Sequence, residues 1–386
     1  MSLKSLILAR LVAYKVSEKR YFAKRVGFEH RRQKAGEPHL VEFFHDASDP
    51  YSQLLAKILP EFQARYDVTI KVWHISPPVD EFVPERQKLA DYALIDAYRL
   101  AAQAGIDFQA KKITHAAFQK ITSSENLDAD KRLSSLGHYM GGMLYYGGEW
   151  YWGLDRLHYL EDRLSALGLA IKEHAAPIFL PPQISLSTDV VALPNKPMID
   201  FFLSFRSPYT AIVADRVAAL ANAYNADLRL RFVLPMVMRN LPVPRAKGEY
   251  ILSDTAREAR RLKVPFGRIC DPLGRPVERG YSLLPWAIEQ GRGVDYVQAF
   301  LRSVWAEGVD ANSNSGMRRI VEAVGLDWKF ARKIIGNNGW RDEAEANRLE
   351  MMSLGVWGVP SFKIGDVVTW GQDRLWVIEN ELKKTG

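Results

Sequence analysis

The feature of this 386-residue chain that most constrains its fold is an internal repeat. Residues 200–210 read DFFLSFRSPYT and residues 42–52 read EFFHDASDPYS, so the two segments match at an offset of 158 positions. Near the end of each copy, WGQDRL at 370–375 matches WGLDRL at 152–157, at an offset of 218 positions. Because the offsets differ by 60, the chain is predicted to hold two domains on one plan, the first lacking about 60 residues between its motifs.

The second copy begins with a strand followed by a helix. Met198–Phe205 is a continuous apolar run, and the apolar positions after Pro208 follow helical spacing. Proline suits the first helical turn, because the N–H that it lacks would have no partner there. Leu228–Leu234 alternates apolar and polar residues and predicts a second strand. The chain is then mostly helical from 248 to 354, with helices predicted at Thr255–Lys263, Val294–Ala306, Met317–Val324 and Arg341–Leu354.

The end of the second copy predicts a hairpin and a last helix. Ser361–Ile364 and Val367–Trp370 read as short strands joined by a two-residue turn, and a helix follows over Arg374–Lys384. This order of elements is that of a thioredoxin fold with a helical insertion. In that fold a cis-proline precedes the hairpin. Val359-Pro360 is the candidate, because only an X-Pro bond adopts the cis form at a small cost.

The predicted fold class is therefore α/β, with two tandem thioredoxin-like domains that carry helical insertions. The predicted bounds are a basic extension at 1–38, a first domain at 39–174, a proline-rich linker at 175–197 and a second domain at 198–386. The linker holds five prolines, which indicates an extended connector. No metal site is predicted.

The net charge of +7 is concentrated in the basic extension, which holds ten Lys or Arg residues and three Glu. The rest of the chain is neutral, so the basic composition does not predict a nucleic-acid-binding surface. The apolar run Leu6–Val16 is too short to span a bilayer, and no cleavage site of small residues follows it. A helix packed on its own domain is the favoured interpretation, and weak contact with a membrane surface is the alternative.

A single cysteine, Cys270, excludes an intrachain disulfide and a Cys-x-x-Cys redox pair. We therefore predict a cytoplasmic protein in which Cys270 is structural. An oxidoreductase that acts through Cys270 and a partner thiol is a weaker alternative.

Four segments of the second copy carry a family resemblance. They are the motif SPYT at 207–210, PRAKGEY at 244–250, VWAEG at 304–308 and GQDR at 371–374. They look like the kappa-class glutathione transferases and the 2-hydroxychromene-2-carboxylate isomerases, over nearly all of residues 198–386. Bacterial disulfide oxidases of the same fold carry Cys-Pro-His-Cys at the first motif. Hydroxyls replace both sulfurs here, which excludes disulfide chemistry at this site.

The resemblance implies a glutathione site. Ser207 precedes a helix whose positive end favours an anion, and a hydroxyl donor there would favour a bound thiolate over a thiol. In the family, the residue before the cis-proline binds the cysteinyl part of glutathione through its backbone, which implies this role for Val359 beside Pro360. Gln372 and Asp373 match the residues that grip the γ-glutamyl end, where Asp373 would pair with the ammonium.

Two further matches lie in the loop after the second strand. Lys247 corresponds to a lysine that meets the glycyl carboxylate in kappa-class relatives, although this chain has an extra Ala246 before it. Asn240 is a weaker match to an asparagine of the same loop. Trp286 and Trp305 are interpreted as core or pocket wall.

The first copy is predicted to have lost this chemistry. Asp49 stands at the position of Ser207, and a carboxylate would repel a thiolate. Gly142 stands at the position of Pro360. We interpret Asp49 as the N-cap of the helix that starts at Pro50, and the whole copy as a pseudo-partner for the second.

The sequence thus predicts a glutathione-dependent isomerase or transferase that acts on an electrophilic, aromatic or unsaturated small molecule, with glutathione as cofactor. Ser207 is the predicted catalytic residue. A binding or scaffold protein with thioredoxin-like halves is the alternative from another class. Partners are a small-molecule electrophile and no nucleic acid, and the oligomeric state is left open.

Overall fold

The computed structural model of the protein describes residues 3–111, 124–172, 176–185 and 196–384. The chain divides into two compact units. The N-terminal unit comprises Glu18–Pro181 and Val243–Tyr250, and the C-terminal unit comprises Met1–Ser17, Pro182–Pro242 and Ile251–Gly386. The domain bounds read from the sequence stay predictions, and residues 175 and 186–195 of the proposed linker lie outside the described residues.

The basic extension forms two helices. Helix α1 (Leu3–Val16) belongs to the C-terminal unit, where Val12 packs against the apolar core. Helix α2 (Glu18–Ala35) belongs to the N-terminal unit, where Arg25 forms an ion pair with Glu149 at 2.7 Å. Among the described residues, no helix combines the length and the apolar character needed to cross a bilayer.

The N-terminal unit is built on a four-stranded sheet in the order β2-β1-β3-β4. After α2 its elements are β1 (Leu40–His45), α3 (Pro50–Arg65), β2 (Thr69–His74), α4 (Arg86–Gln103), α5 (Ser124–Ser135), β3 (Met143–Tyr146), β4 (Glu149–Trp152) and α6 (Leu157–Ala166). Strand β1 runs parallel to β2 and antiparallel to β3, and Phe43 of β1 lies opposite Val72 and Leu144.

The C-terminal unit has a sheet of the same form, in the order β6-β5-β7-β8. Its further elements are β5 (Met198–Leu203), α7 (Pro208–Ala223), β6 (Asp227–Phe232), α8 (Arg245–Arg261), α9 (Arg275–Glu289), α10 (Gly293–Trp305), α11 (Asn314–Ala323), α12 (Trp328–Ile334), α13 (Trp340–Ser353), β7 (Ser361–Ile364), β8 (Val367–Trp370) and α14 (Leu375–Lys384). Strand β5 runs parallel to β6 and antiparallel to β7, and Phe201 lies opposite Leu230 and Phe362.

The pairings in the two sheets correspond at the offsets of the sequence repeat. Phe43 and Val72 correspond to Phe201 and Leu230 at an offset of 158, and Leu144 corresponds to Phe362 at an offset of 218. The offset is 158 up to α4, which corresponds to α8, and 218 from α5 onward, which corresponds to α13. Helices α9 to α12 occupy the interval between α8 and α13, whereas the described residues 104–111 form no helix.

Most predicted elements lie where the sequence places them, and one large helix was missed. Helix α9 contains Gly280 and Pro285, which both disfavour a helix in its interior. Burial outweighs this cost: Tyr281 and Leu284 are fully buried, and a Cβ at position 280 would come within 2.7 Å of Phe205. The glycine therefore allows α9 to pack closely in the core.

Candidate functional site

Ser207 lies at the N-terminus of α7, where the sequence predicts it. Strand β5 ends at Leu203, and Ser207 adopts an extended backbone that caps the helix beginning at Pro208. The Ser207 Oγ accepts a hydrogen bond from the N–H of Thr210 at 3.1 Å. Helix α7 is 16 residues long, so the positive end of its dipole lies at this hydroxyl.

The Val359-Pro360 peptide lies directly against Ser207. This peptide bond is cis, and the Ser207 hydroxyl donates a hydrogen bond to the carbonyl oxygen of Val359 at 3.2 Å. The Pro360 carbonyl in turn accepts a bond from the N–H of Gly371 at 2.9 Å, just before the predicted γ-glutamyl residues. The loop can approach β8 because Gly358 has no side chain: a Cβ there would lie 2.3 Å from the Trp370 ring.

Gln372 and Asp373 follow β8 in a short 3₁₀ turn before α14. The Gln372 side chain is 2% exposed, and both ends of its amide have partners inside the protein. Its Oε1 accepts from Arg216 at 3.1 Å and its Nε2 donates to Glu258 at 2.8 Å. Asp373 is partly buried, with its carboxylate 3.3 Å from the Arg374 guanidinium. The structure thus brings Ser207, the proline loop and this turn together in one unit.

Lys247 is placed in the other unit. Its Nζ donates to the carbonyl oxygen of Phe82 at 2.7 Å, and burial lowers the pKa of this ammonium to about 8. Three residues further along α8, Tyr250 packs edge-on against His138. Asn240 is exposed, with a left-handed backbone at the end of a short 3₁₀ helix.

Sequence reasoning missed one polar pair at the site. The Tyr209 hydroxyl, inside the SPYT motif, donates to the buried carboxylate of Asp254 at 2.8 Å, and Arg257 pairs with the same carboxylate. The N-terminal unit contains the same pair, because the Tyr51 hydroxyl donates to Asp96 at 2.9 Å. Both residues recur at an offset of 158, so extending the repeat comparison along the helices could have found them.

In the N-terminal unit Asp49 caps α3, as the sequence predicts. Its carboxylate accepts from the N–H groups of Tyr51 and Ser52 at 3.2 and 3.0 Å. Burial, followed by the charge of Asp46, raises the pKa of Asp49 to about 7. The N–H of Gly142 donates to the backbone of β1 at 3.0 Å, a bond that a proline at this position could not form.

The remaining candidates have structural surroundings. Trp305 is buried, and its indole N–H donates to the carbonyl oxygen of Phe205 at 2.9 Å. Trp286 packs on Phe330 with ring centroids 5.1 Å apart. Burial, with Asp310 as the largest charge contribution, raises the pKa of the Cys270 thiol to about 11. At neutral pH this thiol is therefore almost entirely protonated and a poor nucleophile.

A parallel strand pair, an antiparallel hairpin after a cis-proline, and a polar residue capping the first helix define a thioredoxin fold in the C-terminal unit. Residues 198–383 match the family model of the DsbA-like thioredoxin domain. This part of the chain therefore has a DsbA-like thioredoxin fold.

Comparison with curated proteins finds similarity to 2-hydroxychromene-2-carboxylate isomerases. A 2-hydroxychromene-2-carboxylate isomerase from Pseudomonas putida is 23% identical over 193 residues, which cover 48% of this chain and 94% of that protein. The enzyme of that name from Sphingobium xenophagum is 26% identical over 204 residues, covering 48% and 97%. A solved structure of a 2-hydroxychromene-2-carboxylate isomerase aligns with a TM-score of 0.43 at 22% identity, over 48% of this chain and 95% of that one.

Proposed function

We propose that the protein is a glutathione-dependent isomerase or transferase whose catalytic residue is Ser207. The observation that carries the proposal is the contact between the Ser207 hydroxyl, at the positive end of α7, and the carbonyl of Val359 in the proline loop. The similarity to 2-hydroxychromene-2-carboxylate isomerases supports the reaction class.

The residues at this place fit a thiol ligand. Ser207 is partly exposed, so its hydroxyl can be reached from solvent. One turn into the helix, the fully buried Thr210 hydroxyl has no hydrogen-bond partner among the described residues, which leaves a polar group at this site unsatisfied. When bound, glutathione would supply a thiol that ionises and adds reversibly to an electrophilic carbon.

Ser207 would stabilise the anionic sulfur by redirecting one proton. Its hydroxyl hydrogen now points at the Val359 carbonyl across 3.2 Å, a long and weak bond for an O–H donor. Rotation about the Cβ–Oγ bond would move this hydrogen toward a sulfur at the helix start. The N–H of Thr210 keeps its bond to the Ser207 oxygen, which polarises the hydroxyl and strengthens it as a donor.

We further infer that the N-terminal unit is a degenerate copy of the same fold. Its strand order, the cap at Asp49 and the Tyr51–Asp96 pair correspond to those of the C-terminal unit. A carboxyl group replaces the hydroxyl at Asp49, and Gly142 replaces the proline and donates its N–H to β1, so we confine the proposed chemistry to the C-terminal unit. The electrophilic substrate and the cytoplasmic location belong to the same proposal.

Titration calorimetry with glutathione, together with the ultraviolet absorbance of its thiolate near 240 nm, tests the proposal. We expect the wild-type chain to bind glutathione and to lower the pKa of its thiol. Ser207→Ala should raise that pKa by about 1 to 2 units, because the thiolate loses its donor. Ser315→Ala, at an exposed serine of α11, serves as the control. A wild-type chain that does not bind glutathione would overturn the enzyme proposal in favour of the scaffold.

A further inference from the structure

Three polar side chains from separate elements meet beneath the turn that carries Asp373. The Nη1 of Arg216, on α7, donates to both the backbone oxygen and the Oε1 of Gln372, each at 3.1 Å. The Nε2 of Gln372 donates to Oε2 of Glu258, on α8, at 2.8 Å. Glu258 is fully buried and Gln372 is 2% exposed, so this polar network lies inside the protein.

The network is charged as well as buried. Glu258 also pairs with Arg261 at 2.9 Å, and the carboxylate of Asp373 acts electrostatically on Arg216. Burial, together with the charge of Arg261, lowers the pKa of Arg216 to about 10, so the guanidinium is still a cation at neutral pH. Taking such groups out of water is costly, and the mutual attraction and hydrogen bonds only partly offset that cost.

The N-terminal unit shows that this place in the fold does not need polar groups. The positions that correspond to Arg216 and Glu258 at an offset of 158 are Ile58 and Leu100, and the one that corresponds to Gln372 at an offset of 218 is Leu154. All three belong to one buried apolar cluster. Well-packed apolar residues commonly replace a buried ionic network without loss of stability. The network therefore points to a role in the site above it.

Helix α7 connects the network to the proposed catalytic hydroxyl. Ser207 caps the helix and Arg216 lies nine positions later, which is about 14 Å along a helix axis. The N-terminus of α7 thus positions the Ser207 hydroxyl, which would contact the glutathione sulfur. Further along, Arg216 holds the backbone next to Asp373, so the separation between the two contact points is set by one stiff element.

We propose that Arg216, Glu258 and Gln372 are positioning residues that hold Asp373 in place for the amino-acid end of the bound tripeptide. This inference rests on the proposed glutathione-dependent function. Gln372 acts through its buried amide, which anchors the turn, and the contact with the ligand falls to Asp373. Loss of the network leaves Ser207 and its proton unchanged and weakens only the recognition of the γ-glutamyl group.

The test transplants the apolar residues of the N-terminal unit into the C-terminal one. The triple variant Arg216→Ile, Glu258→Leu and Gln372→Leu is expected to fold with a melting temperature no lower than that of the wild type. Its KM for glutathione should rise about 10- to 100-fold while kcat changes less than about threefold, because the thiolate donor is intact. Glu258→Gln alone, which keeps the size and an acceptor but removes the charge, should raise KM measurably, by about two- to tenfold.

A ligand without the α-amino group separates positioning from general structural damage. Glutaryl-cysteinyl-glycine differs from glutathione only in lacking that group. The wild type should bind glutathione at least about tenfold more tightly than this analogue, and the triple variant should bind the two alike.

Equal binding of glutathione by wild type and triple variant overturns the inference while leaving the proposed function standing. If the triple variant does not fold, Glu258→Gln with unchanged KM and unchanged preference between the two ligands overturns it instead. Failure of the wild type to bind glutathione at all removes the proposed function itself.

Discussion

The two units place different residues at the start of the same helix. Ser207 presents a neutral hydroxyl that both accepts from the helix and donates to the Val359 carbonyl. Among the described residues the Asp49 carboxylate accepts from the helix N–H groups of Tyr51 and Ser52, and burial raises its pKa to about 7. Capping therefore tolerates either residue, whereas stabilising a thiolate requires a proton donor. Ser207 and Asp49 thus cap corresponding helices with different chemical groups.

The two units also differ in the segment that faces the cap residue, which contains Gly142 in one unit and Pro360 in the other. Gly142 donates its N–H to β1, and its carbonyl accepts from Gly153 at 2.8 Å. Pro360 keeps the second bond, to Gly371, but has no N–H to give to β5. The N-terminal unit thus extends the pairing of β1 and β3 by one backbone bond, whereas in the C-terminal unit the Val359 carbonyl accepts from Ser207.

Exchanging the cap residue is the sharpest way to break this contrast. At a pH where the new carboxyl is ionised, Ser207→Asp should lower glutathione-dependent kcat/KM by about 10³-fold, because a carboxylate repels the thiolate and donates nothing to it. The helix should survive, since Asp caps as well as Ser. Steady-state kinetics and far-ultraviolet circular dichroism measure the two effects. Ser207→Asn, which keeps a cap and an N–H donor, should lose less, and a fully active Ser207→Asp enzyme would contradict the assignment.

In the N-terminal unit, the cap residue Asp49 should make the free energy of unfolding depend on pH. Because the folded pKa of Asp49 lies near 7 and the ordinary value is 3.8, the folded chain binds this proton more tightly than the unfolded one. The stability that the neutral carboxyl provides is complete below about pH 4 and is lost as pH rises toward 7. Asp49→Asn should therefore gain on the wild type across this range, by at most about 4 kcal/mol.

Urea denaturation at pH 4, 6 and 8 measures that gain for Asp49→Asn. Asp49→Ser also caps without a carboxyl group and should show the same pH dependence. A difference from the wild type that stays constant with pH would show that Asp49 does not carry the proposed protonation change.

The smallest expected effect concerns the Tyr–Asp hydrogen bond that both units contain. Tyr51→Phe and Tyr209→Phe each remove a hydroxyl that bonds to a buried carboxylate, which should cost about 1 to 2 kcal/mol of unfolding free energy. Tyr209→Phe should cost less, since Arg257 still pairs with Asp254 at 2.7 Å. Chemical denaturation of both variants measures the costs. A loss in only one unit would argue against equivalent Tyr–Asp pairs.

Local sequence patterns were sufficient for the frame of the C-terminal site. The apolar run before Ser207, the proline that starts α7 and the two-residue turn of the β7–β8 hairpin depend on neighbouring residues, and the structure has all three. The cis form of the Val359-Pro360 bond was predicted from the element order of the thioredoxin fold, and the structure has it. The start of α8 and all of α9 were not foreseen. For α9 the reason is that burial in the tertiary core outweighs the weak helix propensity of Gly280 and Pro285.

The partners of the polar side chains could not be foreseen in this way. Arg216 and Gln372 are 156 positions apart, and Gln372 and Glu258 are 114 apart. Lys247 belongs to the N-terminal unit, where its side chain bonds to Phe82, which is 165 positions away in the chain. No local pattern predicts such a contact.

By itself the sequence determined the repeat, the strand–helix junction at Ser207 and the lack of a second cysteine, since these depend on residue identity and spacing along the chain. Only the tertiary structure decided that the amide of Gln372 is bonded internally and that the hydroxyl of Ser207 meets Val359. Hydrogen bonds between distant residues form only when packing has brought their atoms within about 3 Å, and no local pattern encodes that distance.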